Sequence, residues 1–141
     1  MRVDFYILQG EQRREMLACR LCEKAYQQGH KVFVHADSAR QAQELDTLLW
    51  TFRESSFIPH RLISPPRQDA VPPAVLIGWA GTGNPEEYPV LLNLAPEVPP
   101  FYRKFERIAE IVNQNDEIKS AGRQRFAFYR EQGCNLHHHD L

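Results

Sequence analysis

The first half of the chain alternates short apolar runs with amphipathic stretches. Residues 3–8 and 31–35 are predicted strands, because each is a brief run rich in β-branched and aromatic side chains. Residues 11–28 are predicted to form a helix, since apolar side chains recur there every four residues and Gly29 is placed to end it. The order strand, helix, strand is typical of an α/β sheet that is parallel at least at its start.

A second helix is predicted to begin at Ser38, where a glutamine three residues later completes a possible capping box, and to run to about Trp50. Three more strands are predicted, the first a short one reached through residues 57–63 and the others at 75–78 and 90–94. The loops between them are rich in proline and glycine, which favours surface turns over core elements.

The last third of the chain is predicted to be helical. One helix is expected near Tyr102, because apolar side chains follow at the i, i+3, i+4, i+7 spacing of an amphipathic helix: Phe105, Ile108, Ala109 and Val112. After a break, a final helix is predicted from about Asp116 to Glu131, with Gly133 as its stop. The last six or so residues are expected to form a flexible tail.

Residues 119–130 carry four basic side chains and no acidic one. On a helix, 100° per residue brings three basic residues and one aromatic residue of this stretch to one narrow face: Lys119, Arg123, Arg130 and Phe126. A cationic face with an aromatic ring at its centre suits a short acidic peptide that ends in apolar residues, because arginine binds carboxylates through two hydrogen bonds. Phosphates are a second class of ligand for such a face. A solvated basic helix surface is the third interpretation.

Length and composition set the broad class. The 141 residues predict a single domain over 1–141 that needs no disulfide or metal for stability. A net charge of −1 does not favour DNA binding by the molecule as a whole. The absence of a long apolar run predicts no membrane span, and three cysteines, an odd number, are typical of a reduced cytoplasmic protein.

Several motifs that suggest chemistry are incomplete. The stretch from Gly78 to Gly83 follows a predicted strand, but it lacks the spacing and the lysine of nucleotide-binding loops. Cys19 and Cys22 have redox spacing, yet they lie within a predicted helix, where buried apolar cysteines are the favoured interpretation. Cys134 and three consecutive histidines near the C-terminus are interpreted as incidental tail composition, so no metal site and no cofactor are predicted.

No catalytic set can be assembled from the side chains. The candidate bases His35, Asp37 and His60 are scattered along the chain, and each has a structural role to play. The sequence therefore predicts a protein that is not an enzyme. Trp50 and Phe57 are open to two interpretations, as core residues or as an exposed anchor for a partner protein.

Stretches along nearly the whole chain match one known family. They are Phe5-Tyr6-Ile7-Leu8, Gly29-His30-Lys31-Val32, the helix from Gln41 to Trp50, Ser56-Phe57-Ile58-Pro59-His60, and the ending from Arg123 to Leu136. On these residues the chain resembles the chi subunit of bacterial DNA polymerase III holoenzyme. The combination of Leu-Trp, Phe-x-Pro-His and the Tyr-Arg-x-x-Gly-x-Asn-Leu ending carries the resemblance.

The resemblance implies an adaptor with a Rossmann-like α/β fold, a three-layer domain with a mostly parallel central sheet and no nucleotide-binding loop. Such proteins bind the acidic C-terminal tail of single-stranded DNA-binding protein, which ends in an aromatic residue and a free carboxylate. Matched by position, the tail pocket corresponds to Val112, Lys119, Arg123 and Phe126. Three of these residues belong to the face that helical geometry selects.

Two positions depart from the family pattern. Ala127 stands where a further basic residue is expected, and Phe126 where a tyrosine is expected. Arg130, on the same face, is a candidate to compensate. The family's second partner is the psi subunit of the clamp loader, and some relatives contact a repair helicase through the same surface, which matches Trp50 and Phe57.

Two other classes of function remain as alternatives. One is a direct single-stranded DNA-binding protein that uses the basic helix face with Phe126 as a stacking platform. The other is a small nucleotide-handling enzyme on a Rossmann-like sheet. The adaptor interpretation predicts that DNA is reached mostly indirectly, through the protein partners.

Overall fold

A computed structural model describes residues 1–55, 57–66, 71–83, 85 and 87–141. The elements in chain order are β1 (Arg2–Ile7), α1 (Arg14–Gln27), β2 (Val32–Ala36), α2 (Ala39–Thr51), β3 (His60–Leu62), β4 (Val75–Trp79), β5 (Val90–Asn93), a 3-10 helix (Tyr102–Lys104), β6 (Arg107–Val112), α3 (Asp116–Glu131) and β7 (Asn135–Asp140). Part of the predicted proline-rich loop between β3 and β4, residues 67–70, lies outside the described residues, as do Ser56 of the family match, Asn84 and Glu86.

The strands form one sheet in the order β3-β4-β2-β5-β6-β1-β7, and every pairing among them is parallel. Alternate side chains along each strand face opposite layers. Helices α1 and α2 cover one face through a core that includes Leu17, Leu45 and Ile111. Helix α3 and the 3-10 helix cover the other face around Phe33 and Tyr129. The predicted three-layer α/β fold is confirmed.

Local signals place the helix ends. The Ser38 hydroxyl accepts a hydrogen bond from the Gln41 backbone N–H at 3.2 Å, and the Gln41 side chain accepts one from the Asp37 N–H at 2.8 Å. The predicted helix start is therefore confirmed. In a capping box the glutamine side chain would bond to the N–H of the cap residue Ser38, whereas here it bonds to the N–H of Asp37, one residue earlier. Gly29 and Gly133 both have φ of +79°, the left-handed conformation that ends helices α1 and α3.

The prediction of a helix through residues 105–112 is wrong. Residues 107–112 form strand β6, which pairs with β1 on one side and β5 on the other. A central parallel strand is buried on both faces and is apolar at nearly every position, so some of its apolar residues also match helical spacing. Val112 thus lies at the end of a strand.

The C-terminal residues also differ from their prediction as a flexible tail. Residues 135–140 form the edge strand β7, which runs parallel to β1 with Leu136 opposite Val3 and His138 opposite Phe5. The backbone of Asn135 donates to Met1 at 2.9 Å, and that of Leu141 donates to Ile7 at 2.9 Å. Polar side chains at an edge strand hide the hydrophobic alternation by which strands are recognised.

Candidate functional site

A cavity of about 400 Å³ opens between helix α3 and the edge strand β7. Strands β1 and β6 form its floor. Its lining side chains are Phe5, Ile7, Val112, Lys119, Gly122, Arg123, Phe126 and His138. The lining is almost entirely apolar, with basic side chains among it, so the cavity suits a ligand that combines an apolar group with negative charge.

A glycine on the buried side of α3 sets the shape of this cavity. A Cβ atom added to Gly122 would lie 2.8 Å from Cγ2 of Val112, which is closer than carbon atoms approach without displacement. Gly122 therefore lets α3 pack directly over the end of β6. Beside it, the rings of Phe126 and Phe5 meet edge to face with centroids 5.2 Å apart, an arrangement that favours aromatic pairs.

Two basic side chains of α3 lie at the cavity, and they differ in how firmly they are held. Lys119 Nζ donates to Oε1 of Gln114 at 2.9 Å, and Nε2 of Gln114 donates to the Leu8 carbonyl at 3.1 Å. Arg123 is exposed, and within the described part of the chain its guanidinium has no hydrogen-bonding or ionic partner. The five N–H donors of an unpaired arginine are available to an anion in the cavity.

A third basic residue of the stretch 119–130, Arg125, points into the protein. Its Nε donates to Oε1 of Glu110 at 2.9 Å, while Oε2 of Glu110 accepts from Asn93 at 3.0 Å and from the Tyr129 hydroxyl at 2.7 Å. Burial raises the pKa of Glu110, and the positive charge of Arg125 together with these hydrogen bonds opposes that rise. The pKa of Tyr129 is raised by burial first and then by the Glu110 charge, so its hydroxyl remains a donor.

This buried network fixes the rotation of α3. Arg125 and Tyr129 are held against β6 on the inner side of the helix, and Nη1 of Arg125 also donates to the Pro96 carbonyl at 2.9 Å. At about 100° per residue, Gly122 lies about 60° around the helix from Arg125 and Arg123 about 100° farther on, so holding Arg125 inward directs Gly122 to the cavity and Arg123 to its outer rim. A buried charge with all its hydrogen bonds satisfied specifies one packing arrangement more strictly than apolar contacts do.

The structure brings together four of the five residues predicted for this site: Val112, Lys119, Arg123 and Phe126. Arg130 is exposed one turn farther along α3 and does not line the cavity. Sequence reasoning missed Phe5, Ile7, Gly122 and His138. A glycine in the middle of a helical pattern was the available signal for close packing. The contribution of β7 was hidden because that strand was not predicted.

A second cavity, of about 260 Å³, lies between the last turn of α1 and the strands beneath it. Its lining mixes apolar side chains with Lys24, Tyr6, Glu106 and Arg107. Acidic and basic groups occur together there, so this cavity does not select a charge. The cavity under α3 is the better candidate site, since its charged lining side chains are basic and its floor is apolar.

Trp50 and Phe57 form an exposed aromatic pair. The two residues are 54% and 65% exposed, and their ring centroids lie 5.6 Å apart. The ring of His60 lies 4.6 Å from Trp50, and its two nitrogens contact the carbonyl oxygens of Ile58 at 2.7 Å and Asp46 at 3.0 Å. The interpretation of these aromatics as core residues is therefore wrong, and the rings are accessible to a partner.

The other candidate groups have structural surroundings. Cys19 and Cys22 are buried, as predicted, and burial raises the pKa of the Cys19 thiol to about 12, which suppresses the reactive thiolate. In the turn after β4 the Thr82 hydroxyl donates to the Trp79 carbonyl at 2.7 Å. Among the residues that the structure describes, no three potential metal-binding side chains lie together, and no helix is long and apolar enough to cross a membrane.

Fold and cavity together define an α/β domain with an apolar cavity that basic side chains flank. The family described as "DNA polymerase III chi subunit, HolC" matches residues 1–137. The chain therefore belongs to the DNA polymerase III chi subunit family, which places it among the proteins of DNA replication. The family resemblance inferred from the sequence is confirmed.

Individual relatives agree with this assignment. The chain is 42% identical to DNA polymerase III subunit chi of Pseudomonas aeruginosa over 99% of its own length and 96% of the relative's. It is 34% identical to the Haemophilus influenzae subunit, over 86% of the chain and 83% of that protein. Against the Escherichia coli subunit the identity is 28%, over 86% and 82%.

One solved structure shows the same fold in a distant sequence. The crystal structure of T4 UvsW matches 99% of this chain with a TM-score of 0.73 and 6% identity. The matched region is 41% of the UvsW chain. At this identity the likeness concerns the arrangement of helices and strands alone.

Proposed function

We propose that this protein is a non-catalytic adaptor of the replisome. In this proposal the cavity under α3 binds the acidic C-terminal tail of single-stranded DNA-binding protein. The aromatic pair of Trp50 and Phe57 binds the psi subunit of the clamp loader, or a repair helicase. Membership of the chi family supports the proposal, and the cavity's combination of an apolar floor with unpaired positive charge is the observation that carries it.

Each part of the tail has a counterpart in the cavity. The terminal aromatic ring fits the apolar floor between Val112 and Phe126, where ring-to-ring contact adds to burial. The free carboxylate and the preceding acidic side chains are complementary to Arg123 and Lys119. Ala127 offers no charge, so the arginine with no internal partner carries the greater share of the ionic contact.

The affinity expected from this arrangement is modest. A disordered tail loses conformational freedom when it binds, and its ionic contacts at an exposed surface are screened by salt. A dissociation constant on the order of micromolar follows, and it is expected to weaken as ionic strength rises. Weak binding suits a contact that forms and breaks repeatedly while the second partner stays bound.

Fluorescence anisotropy tests the tail contact directly. The probe is a labelled acidic peptide that ends in Asp-Asp-Ile-Pro-Phe, and it is titrated with the protein at low ionic strength. Arg123→Ala is expected to weaken binding at least about tenfold, since hydrogen bonds to charged groups contribute on the order of 1.5–3 kcal/mol. Arg130→Ala is the matched control: it removes an arginine from the same helix outside the cavity and is expected to weaken binding much less.

A change in the probe tests the carboxylate contact. A peptide with a C-terminal amide has one negative charge fewer and should bind more weakly than the free acid.

Direct DNA binding predicts a different result. Saturable binding of a labelled single-stranded oligonucleotide, with no binding of the peptide by the folded protein, would replace the adaptor proposal with direct DNA binding through the basic face. Equal peptide binding by wild type and Arg123→Ala would place the tail contact elsewhere.

A further inference from the structure

His138 is the lining residue of the cavity that comes from β7. Helix α3 contributes Lys119 and Arg123 from one side, and the edge strand contributes this imidazole from the other. Side chains alternate along a strand, so His137 and His139 lie on the opposite face of the sheet. There, Nε2 of His139 contacts Oδ1 of Asp4 at 2.9 Å.

The surroundings of His138 leave it available to a ligand. Its Nε2 lies 3.3 Å from Oδ1 of Asp140, and the two side chains are 58% and 61% exposed. Asp140 also accepts a hydrogen bond from the Gln9 side chain at 3.0 Å. Ion pairs between groups this exposed are weak and are easily exchanged for another carboxylate.

The charged groups that face His138 from the neighbouring elements are few. On α3 they are Lys119 and Arg123, and on its own strand the nearest is Asp140. Strand β1 contributes only the apolar side chains Phe5 and Ile7 to this cavity. The residue that lines the strand side of the cavity is thus a hydrogen-bond donor to an anion held by Arg123, and the acidic Asp140 beside it is not part of the lining.

We propose that His138 is a third carboxylate-binding residue of this cavity and makes its affinity for acidic peptide ends depend on pH. The inference rests on the proposed function, because it concerns the ligand of the same site. An imidazole donates one hydrogen bond when neutral and becomes a cation when protonated. Position 127 of the helix carries alanine where a basic residue is expected. His138 supplies a positive charge from the strand instead when it is protonated.

The sign of the effect follows from the two protonation equilibria. Protonation gives an imidazole a positive charge at mildly acidic pH, where peptide carboxylates stay ionised. Binding of an acidic peptide should therefore tighten on acidification. For an exposed contact of this kind the gain is about threefold between about pH 7.5 and about pH 5.5.

The test measures the anisotropy of the labelled peptide ending in Asp-Asp-Ile-Pro-Phe at about pH 7.5 and about pH 5.5, at one low ionic strength. The proteins are wild type, His138→Gln, Arg123→Ala and His137→Gln. The last variant removes a histidine from the same strand on the other face. Wild type and His137→Gln should both bind about threefold more tightly at the lower pH, and His138→Gln should lose this gain.

The outcomes separate this inference from the proposed function. Peptide binding that requires Arg123 but has the same pH dependence in wild type and His138→Gln overturns the role of His138 alone. A wild-type affinity that does not change with pH overturns it equally. Absence of peptide binding by folded wild-type protein at both pH values overturns the tail-binding function and this inference together. An NMR shift of the His138 ring, larger than that of the His137 ring on peptide addition, would support the contact independently.

Discussion

At the scale of single residues, the contact of Gly122 with Val112 joins stability to the shape of the site. A glycine within a helix costs about 1 kcal/mol relative to alanine, so its position calls for a compensating gain. The gain here is close approach, because a Cβ at residue 122 would lie 2.8 Å from Cγ2 of Val112. The same approach lets the two residues share one cavity wall.

Gly122→Ala should therefore destabilise the protein despite its better helix propensity. Overpacking costs about 1–3 kcal/mol, which exceeds the propensity gain of about 1 kcal/mol. In a Val112→Ala background the obstructing methyl groups are gone, and the same glycine substitution should become neutral or stabilising. Urea unfolding of the four proteins measures the coupling, and equal effects in both backgrounds would contradict the close contact.

A second residue-scale feature is the buried carboxylate of Asp4. It accepts hydrogen bonds from Arg2 at 3.1 Å, from Arg107 at 3.0 Å and from His139 at 2.9 Å. Burial by itself raises the pKa of Asp4, but the hydrogen bonds from Arg2 and His139 and the charge of Arg107 outweigh it and lower the pKa to about 2. The cluster ties β1 to both neighbouring strands.

Asp4 should contribute to stability only while it is ionised. Its pKa in the folded protein is lower than the ordinary 3.8, so the contribution is full above about pH 5 and is lost as pH falls toward 2. Asp4→Asn should reduce the free energy of unfolding by about 2 kcal/mol near neutral pH and by much less near the folded pKa. Denaturant unfolding across this range measures the difference.

Glu11→Gln is the control for Asp4→Asn, since Glu11 is exposed and precedes α1. Its difference from wild type should stay small at every pH. A deficit in Asp4→Asn that does not shrink on acidification would mean that the cluster stabilises the fold by packing and not by charge.

At the scale of elements, the two strands that the sequence did not predict, β6 and β7, both depend on contacts with distant parts of the chain. Glu110 interrupts the apolar run of β6, so the apolar residues around it also fit helical spacing. Its ionic partner Arg125 lies on α3, and local spacing does not reveal that contact. Strand β7 forms by pairing with β1, which lies more than 120 residues earlier in the chain. By contrast, α3 has the predicted bounds, because Asn115, Gly133 and the helical spacing are local signals.

The same distinction applies to the candidate site. Helical periodicity sufficed to group Lys119, Arg123 and Phe126, because they belong to one helix. The wall formed by β7 and the floor formed by β1 require knowledge of strand order, which no local pattern contains. Helical spacing also groups Arg130 with them, because it does not show where along the helix the cavity ends.

Hydrogen exchange should distinguish an edge strand from a mobile tail. The N–H group of Asn135 bonds to Met1, just before β1, and that of Leu141 bonds to Ile7 of β1. Parallel pairing directs alternate amides to the same neighbour, so those of His137 and His139 should bond to β1 too. These four amides should exchange slowly, while those of Leu136, His138 and Asp140 should exchange fast at the open edge. Uniformly fast exchange from 135 to 141 would contradict strand β7.

At the scale of the whole molecule, the two proposed partner surfaces lie near opposite edges of one sheet. Phe57 precedes β3 at one edge, and Trp50 is on the last turn of α2 beside it. The cavity under α3 involves β6, β1 and β7 at the other edge. Five strand spacings separate β3 from β1, which is about 24 Å. Energetic coupling between sites this far apart is usually small.

Substitutions at one surface should consequently leave the other unchanged. Trp50→Ala and Phe57→Ala are expected to weaken binding of purified psi subunit by about 30-fold or more, as losses of central aromatic anchors do, and to change acidic-peptide affinity by less than about twofold. Arg123→Ala should show the reverse. Tyr26→Ala is the control, because Tyr26 is an exposed aromatic residue on α1 that belongs neither to the cavity lining nor to the aromatic pair.

Calorimetric titration of each variant with psi subunit, with peptide, and with peptide in the presence of saturating psi subunit measures all three affinities. Equal peptide affinity with and without psi subunit is what a bridge requires, since one partner must stay bound while the other is exchanged. A peptide affinity that falls on psi binding would mean that the partners compete, and the protein would then select between them instead of linking them. An affinity that rises would require two arrangements of the sheet, with psi subunit and peptide both favouring the same one, and Trp50→Ala should abolish that increase.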